Sequence, residues 1–190
     1  TLRSFLTNFI AFREDVVARR TAFELRKARE RSHILCGLAA AVSNVDEVVA
    51  TIRSSVDAAD ARSKLMKRAW PAEEILEYIK LIDDPTHPVN ADGTYHLSEV
   101  QARAILELRL QRLTQIGVKE VTDELQELAG KIREYLEILG SRDRIMAIIT
   151  YELNSVKEQF AVPRRPEIIE WSGDLDVAEL TEREDMEVTI

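Results

Sequence analysis

The chain has 190 residues, 45% of them hydrophobic and 6% aromatic, enough to bury a core in one or two domains and too much for a disordered chain. Its net charge of −8 is unevenly spread: residues 1–70 carry 13 Lys/Arg against 8 Asp/Glu (+5), and the other 120 carry 13 against 26 (−13). A largely acidic body grips nucleic acid poorly, because phosphate binding needs clustered positive charge.

Only six Gly and five Pro are present, and Ala, Leu, Glu, Arg and Ile dominate, so the expected fold is all-α with few, peripheral strands. The single Cys36 excludes an internal disulfide framework and a Cys-based metal site and fits a reducing compartment. His33, His87 and His96 are too scattered to suggest metal-ligand spacing, so no metal is expected. Thr1 opens no signal-peptide pattern and no apolar run approaches 18 residues. The expectation is a cytoplasmic piece of a longer chain, with no membrane contact.

The first segment has no Pro and no Gly before Gly37. Leu2, Phe5, Phe9, Phe12 and Val16 are spaced 3, 4, 3, 4, a heptad seam. Met146, Ile149, Leu153, Val156 and Phe160 repeat that spacing near the other end. The two seams predict a long antiparallel coiled-coil arm, with residues 1–43 ascending and 141–161 returning. A third seam, Val118, Val121, Leu125, Leu128, Ile132, Tyr135 and Leu139, ends at Gly140, and Ser141 caps the next helix.

Residues 44–140 are expected to form a small globular helical knob on that arm. Its first part reads as three short helices with Asn44, Ser55 and Pro71 near their starts. "DPTHPVNADGTYH" is a loop, with a small hairpin expected around "ADG". "LSEVQARAILELRLQRLT" then opens on a capping box, Ser98 with Gln101. It is too apolar for an ordinary surface helix: Val100, Ala104 and Leu108 make one ridge, and Ala102, Leu106, Leu110 and Leu113 another on roughly the opposite side. One ridge packs in the knob; the other faces either a second subunit or more of the same core. Residues 162–190 hold two Pro and, from Pro163, 9 acids against 3 bases. They read as an extended linker, with "EIIEW" and "MEVTI" as short strands.

No phosphate-binding glycine loop, metal-ligand cluster or nucleophile beside a base is evident, so no catalytic, cofactor-binding or metal residue is assigned. Tyr78, Tyr95, Tyr135 and Tyr151 read as packing residues, and Cys36 as a small buried hydrophobe. His33 is either a switch or contact residue or a partly buried, hydrogen-bonded histidine, the second being the ordinary case. Seven Lys/Arg against four acids between Arg13 and Arg31 either face DNA or are the solvated charges of a long helix.

"FREDVVARRTAFELRKARERSHILCGLAAAVSNVDEVVATIR" and "YHLSEVQARAILELRLQRLT", in that order, resemble the A-subunit family of type IIA topoisomerases, closest to the DNA gyrase branch, with the topoisomerase IV equivalent second. "EREDMEVTI" resembles that family's lead-in to a C-terminal DNA-wrapping domain. Cys36 departs from a common Glu, and Gln115, Ile116 and Gly117 depart from a common "GLE". The resemblance implies the coiled-coil arm and exit gate, with a homodimer contact whose candidates are Val100, Gln101, Ala104, Ile105, Leu108 and Gln111. It further implies partnership with a gyrase B subunit, transient passage of duplex DNA, and ATP and Mg²⁺ held in the holoenzyme but not in this stretch. The cleaving Tyr lies outside the chain. The competing reading is a non-enzymatic coiled-coil scaffold.

Overall fold

The computed structural model describes residues 1–82, 89–90, 92–107, 118–163 and 165–166. It divides into two units, Thr1–Leu153 and Asn154–Ile190. Helix α1, Leu2–Ser43, is 42 residues long, on the order of 60 Å at 1.5 Å per residue. Thr1 caps it, its hydroxyl oxygen accepting from the Ser4 backbone N–H at 3.3 Å. Asn44 closes it by donating its side-chain amide to the Ala40 carbonyl at 2.9 Å. The first turn of α2, Val45–Arg53, carries Asp46 and Glu47, which suit the positive end of the helix dipole.

The buried stripe of α1 is Val17, Thr21, Leu25, Ala28, Ser32 and Leu35. Its close neighbour is α6, Val118–Gly140. Leu25 and Ala28 cluster with Ile132, while Leu35 and Cys36 share a core with Val121 and Leu125, so the two helices run antiparallel. The 3, 4 seam expected on α6 is the face it buries: Val121, Leu125, Leu128, Ile132, Tyr135 and Leu139 are all buried or half-buried. Arg31 pairs with Glu124 at 2.8 Å along the edge of this contact.

At Ser141, whose hydroxyl accepts from the Arg144 backbone N–H at 3.4 Å, the chain turns into α7, Arg142–Phe160. Within the first unit α7 folds back on α6, with Arg144 3.4 Å from Glu137 and an open groove lined by Glu134, Ile138, Ala147, Ile148 and Tyr151. It also meets α1. Arg142 donates to both carboxylate oxygens of Glu14, at 3.0 and 2.7 Å, and Glu152 accepts from Arg20 at 2.6 Å and from Arg13.

This arrangement corrects the expected pairing of the terminal seams. Leu2, Phe5, Phe9 and Phe12 are exposed and Val16 is half-buried; across from them Ile149 is buried, Met146 half-buried and Leu153 exposed. The rod packed along α1 is residues 118–140, which were expected in the knob, and residues 141–153 take a third position. The reason is geometric: a 3, 4 spacing marks an apolar face without naming its partner, and α6 and α7 both carry one. In the second unit, Val156 and Phe160 are exposed on the last turns of α7.

The knob is built on the small-residue end of α1. Helix α3 spans Ala58–Lys67, and its N-cap is Asp57, which accepts from the Asp60 backbone N–H at 2.7 Å, rather than Ser55. Strand β1, Ala69–Pro71, contains the proline expected to start a helix; after a 3₁₀ turn at Glu73–Ile75 the helix, α4, covers Leu76–Ile82. Strand β2, Thr94–His96, pairs antiparallel with β1, Trp70 opposite Tyr95. The expected hairpin is thus a turn, Asn90 to Gly93 at φ 78°, feeding a strand whose partner lies upstream. Trp70, fully buried, donates its indole N–H to the Leu65 carbonyl at 3.0 Å. Helix α5, Glu99–Glu107, closes the core with Ala102 and Ile105. Leu110 and Leu113 of the second ridge lie outside the described residues, as do Leu108, Gln111, "EIIEW" and "MEVTI".

Candidate subunit interface

The seating of α5 on α1 depends on one close crossing. A Cβ at Gly37 would lie 2.6 Å from both Cβ and Cγ of Gln101, so α1 admits α5 there only because residue 37 has no side chain. Gln101 is fully buried and each of its polar groups is satisfied. Its Oε1 accepts from the Ser98 backbone N–H at 2.9 Å and from the Tyr95 hydroxyl at 3.1 Å. Its Nε2 donates to the His33 carbonyl at 2.6 Å, and its backbone N–H donates to Ser98 Oγ at 3.2 Å. The capping box is therefore present, with its Gln side chain also binding the helix beneath.

His33 is half-buried, its Nε2 2.8 Å from Ser98 Oγ. This is the hydrogen-bonded histidine of the ordinary reading. Cys36 is fully buried, and removal from water pushes its thiol up to about 12. Such a thiol stays protonated and unreactive at neutral pH.

The knot decides which interface candidates face outward. Gln101 and Ile105 are fully buried within the chain and do not face a second subunit; the capping role and the core contact take both side chains inward. Val100 is 57% exposed and Ala104 half-buried, so this side of the helix has no cover in the chain. Leu108 and Gln111 lie outside the described residues. Sequence reasoning had not singled out the open groove of about 410 Å³ between α3 and α5, lined by Ala58, Ala59, Arg62, Arg103, Leu106 and Glu107. A signal was present in the paired alanines, which leave space beside a helix.

The basic segment between Arg13 and Arg31 is mostly occupied by the chain's own acids. Arg13 and Arg20 bind Glu152, Arg19 lies 2.8 Å from Asp15, and Arg31 binds Glu124. The Arg20 hydrogen bond, then nearby positive charge, holds the Glu152 carboxyl below its usual range against the opposing effect of burial. Arg142 does the same for Glu14. Among the four tyrosines, Tyr95 is buried and Tyr78 and Tyr135 are half-buried, whereas Tyr151 is 76% exposed on α7 and not the packing residue expected. Among the described residues no group of three His, Cys, Asp or Glu side chains could hold a metal ion, and no single helix is long and apolar enough to cross a membrane.

These features define an all-helical arm-and-knob module whose polar chemistry is spent on holding helices together. The family to which it belongs follows from its relatives. Residues 1–154 match the family model for the A subunits of DNA gyrase and topoisomerase IV. The whole chain is 48% identical to the DNA gyrase A subunit of Granulibacter bethesdensis, 46% to that of Rickettsia conorii and 43% to that of Haemophilus influenzae. The chain belongs to the DNA gyrase/topoisomerase IV A-subunit family. It spans about a fifth of the length of these relatives, 20%, 21% and 22% respectively.

Proposed function

We propose that this chain is the arm and exit gate of a DNA gyrase A subunit, the part through which two such subunits stay joined while a duplex passes. The observation that carries the reading, beside the family, is the division of labour on α5. One side closes the knob core, while Val100 and Ala104 stand at the outer surface of a knob carried on a 42-residue helix. A surface of that kind suits a second subunit. The parent would cleave and pass duplexes with ATP and Mg²⁺ held by other domains and with a gyrase B subunit. This stretch would cleave nothing by itself: the described residues offer no metal cluster, and three of its four tyrosines are buried or half-buried.

The role is mechanical. A stiff arm transmits position, and an acidic surface retains little DNA because few counterions are released on contact. Sedimentation equilibrium of the 190-residue chain over a wide concentration range tests the reading. A dimer that Val100→Arg converts into a folded monomer is the expected result. A folded wild-type monomer at every concentration counts against it.

A further inference from the structure

The groove between α3 and α5 has a floor of small and apolar side chains, Ala58, Ala59 and Leu106, and a rim of charges. On the rim, Arg62 and Arg103 both bind one oxygen of Glu99, at 3.0 and 3.1 Å. Two guanidinium groups share a single carboxylate, which leaves that end of the rim one positive charge in excess. Glu107, at the other end, is exposed and has no ion-pair partner among the described residues. The rim is therefore neutral in sum and polarised along α5. Immediately before the groove, Val56 is 94% exposed at the start of α3.

A groove of one sign would select an oppositely charged ligand and repel a copy of itself. A neutral but polarised rim does the reverse. It offers nothing to a phosphate backbone, and a two-fold rotation brings each positive end against the partner's negative end. The apolar floor inside a charged rim has the layout of a protein–protein contact, and the alanine-lined hollow next to a projecting valine supplies both halves of a self-complementary fit.

We infer that the occupant of this groove is a second copy of the chain, docked isologously about an axis passing α5 between Arg103 and Glu107, so that Arg103 of each copy meets the carboxylate of Glu107 on the other. The inference rests on the dimer reading above and locates its contact. Val100 and Ala104 extend the patch along the same helix.

Charge reversal on the 190-residue chain tests it, read by sedimentation equilibrium with circular dichroism as the fold control. Arg103→Glu and Glu107→Arg should each weaken the dimer about tenfold, and the double variant R103E/E107R should recover to about threefold of wild type, since the pair is rebuilt with its signs exchanged. Ala59→Arg, at an exposed position, should weaken it about a hundredfold by filling the floor. A wild-type dimer indifferent to Ala59→Arg and to both single reversals overturns the groove assignment and leaves the dimer reading standing. Weakening by the single variants without recovery in the double overturns the reciprocal pairing. A wild-type monomer overturns both readings.

Discussion

Gly37→Ala should be far more harmful than its one added carbon suggests. In an isolated helix the change favours folding by about 1 kcal/mol. Here the new Cβ would sit 2.6 Å from Gln101 Cβ and Cγ and 2.9 Å from Cδ, where carbon atoms ordinarily rest at about 3.5 to 4.0 Å. The clash is with the near end of a side chain whose far end is held by Ser98, Tyr95 and His33, so rotation away breaks buried hydrogen bonds. Overpacking costs about 1–3 kcal/mol, and an orphaned buried polar group about 1–3 kcal/mol more. Set against the helix gain, the net loss is about 3 kcal/mol. Urea unfolding followed by far-ultraviolet circular dichroism measures it, alongside Gln101→Ala and the double variant. Because the two residues touch, the double variant should lose clearly less than the sum of the singles. A Gly37→Ala chain as stable as wild type, or strict additivity, would refute the close crossing as the constraint on α5.

Other outcomes follow from the same geometry. Cys36 should resist a thiol-titrating disulfide reagent in the native chain and react fully on denaturation; rapid native labelling would show that the α1 core opens readily. Glu14 and Glu152 have carboxyls held below the usual value of 4.5 by Arg142 and Arg20. The stability they contribute is present above pH 4.5 and is lost as pH falls from there through their native values. Acid titration of the melting temperature should thus show a smaller loss below pH 4.5 for Glu152→Gln than for wild type, and identical curves would remove the ion pairs from the account. Trp70→Phe should cost about 1–2 kcal/mol by orphaning the Leu65 carbonyl, read by the same urea titration, and an unchanged midpoint would contradict it. Filter retention of duplex DNA by the chain at low salt should be weak; tight, salt-sensitive retention would contradict the non-retaining surface.

What the residues disclosed in advance was local. Ser98 and Gln101 at a spacing of three form the capping box they spell, and the α6 seam buries the face its period marks. Cys36 and His33 sit as small core hydrophobe and hydrogen-bonded histidine. What escaped was which helix meets which. The α1 stripe buries Thr21, Ala28, Ser32 and Gly37, residues that a search for large apolar side chains passes over, because close helix contact favours small ones. The first seam instead marked Leu2 to Phe12, which the chain leaves exposed. Gln101 was expected at a subunit surface because its helical position lies beside Val100, yet its side chain reaches back to cap its own helix. Strand β1 is three residues ending in proline, too short for alternation to register, and its pairing with β2 is non-local. The groove between α3 and α5 required the tertiary placement of two helices whose separate sequences carry no mark of a shared hollow.

The central claim is that two chains meet at their knobs and not along their arms. Spin labels attached at cysteines introduced for Val56 or for Ser4, with buried Cys36 left in place, report it directly through dipolar distances within the dimer. The account predicts strong coupling between the two Val56 positions at a distance well below the arm's length of about 60 Å. Coupling between the two Ser4 positions with none between the Val56 positions would contradict it, placing the contact at the opposite end of α1.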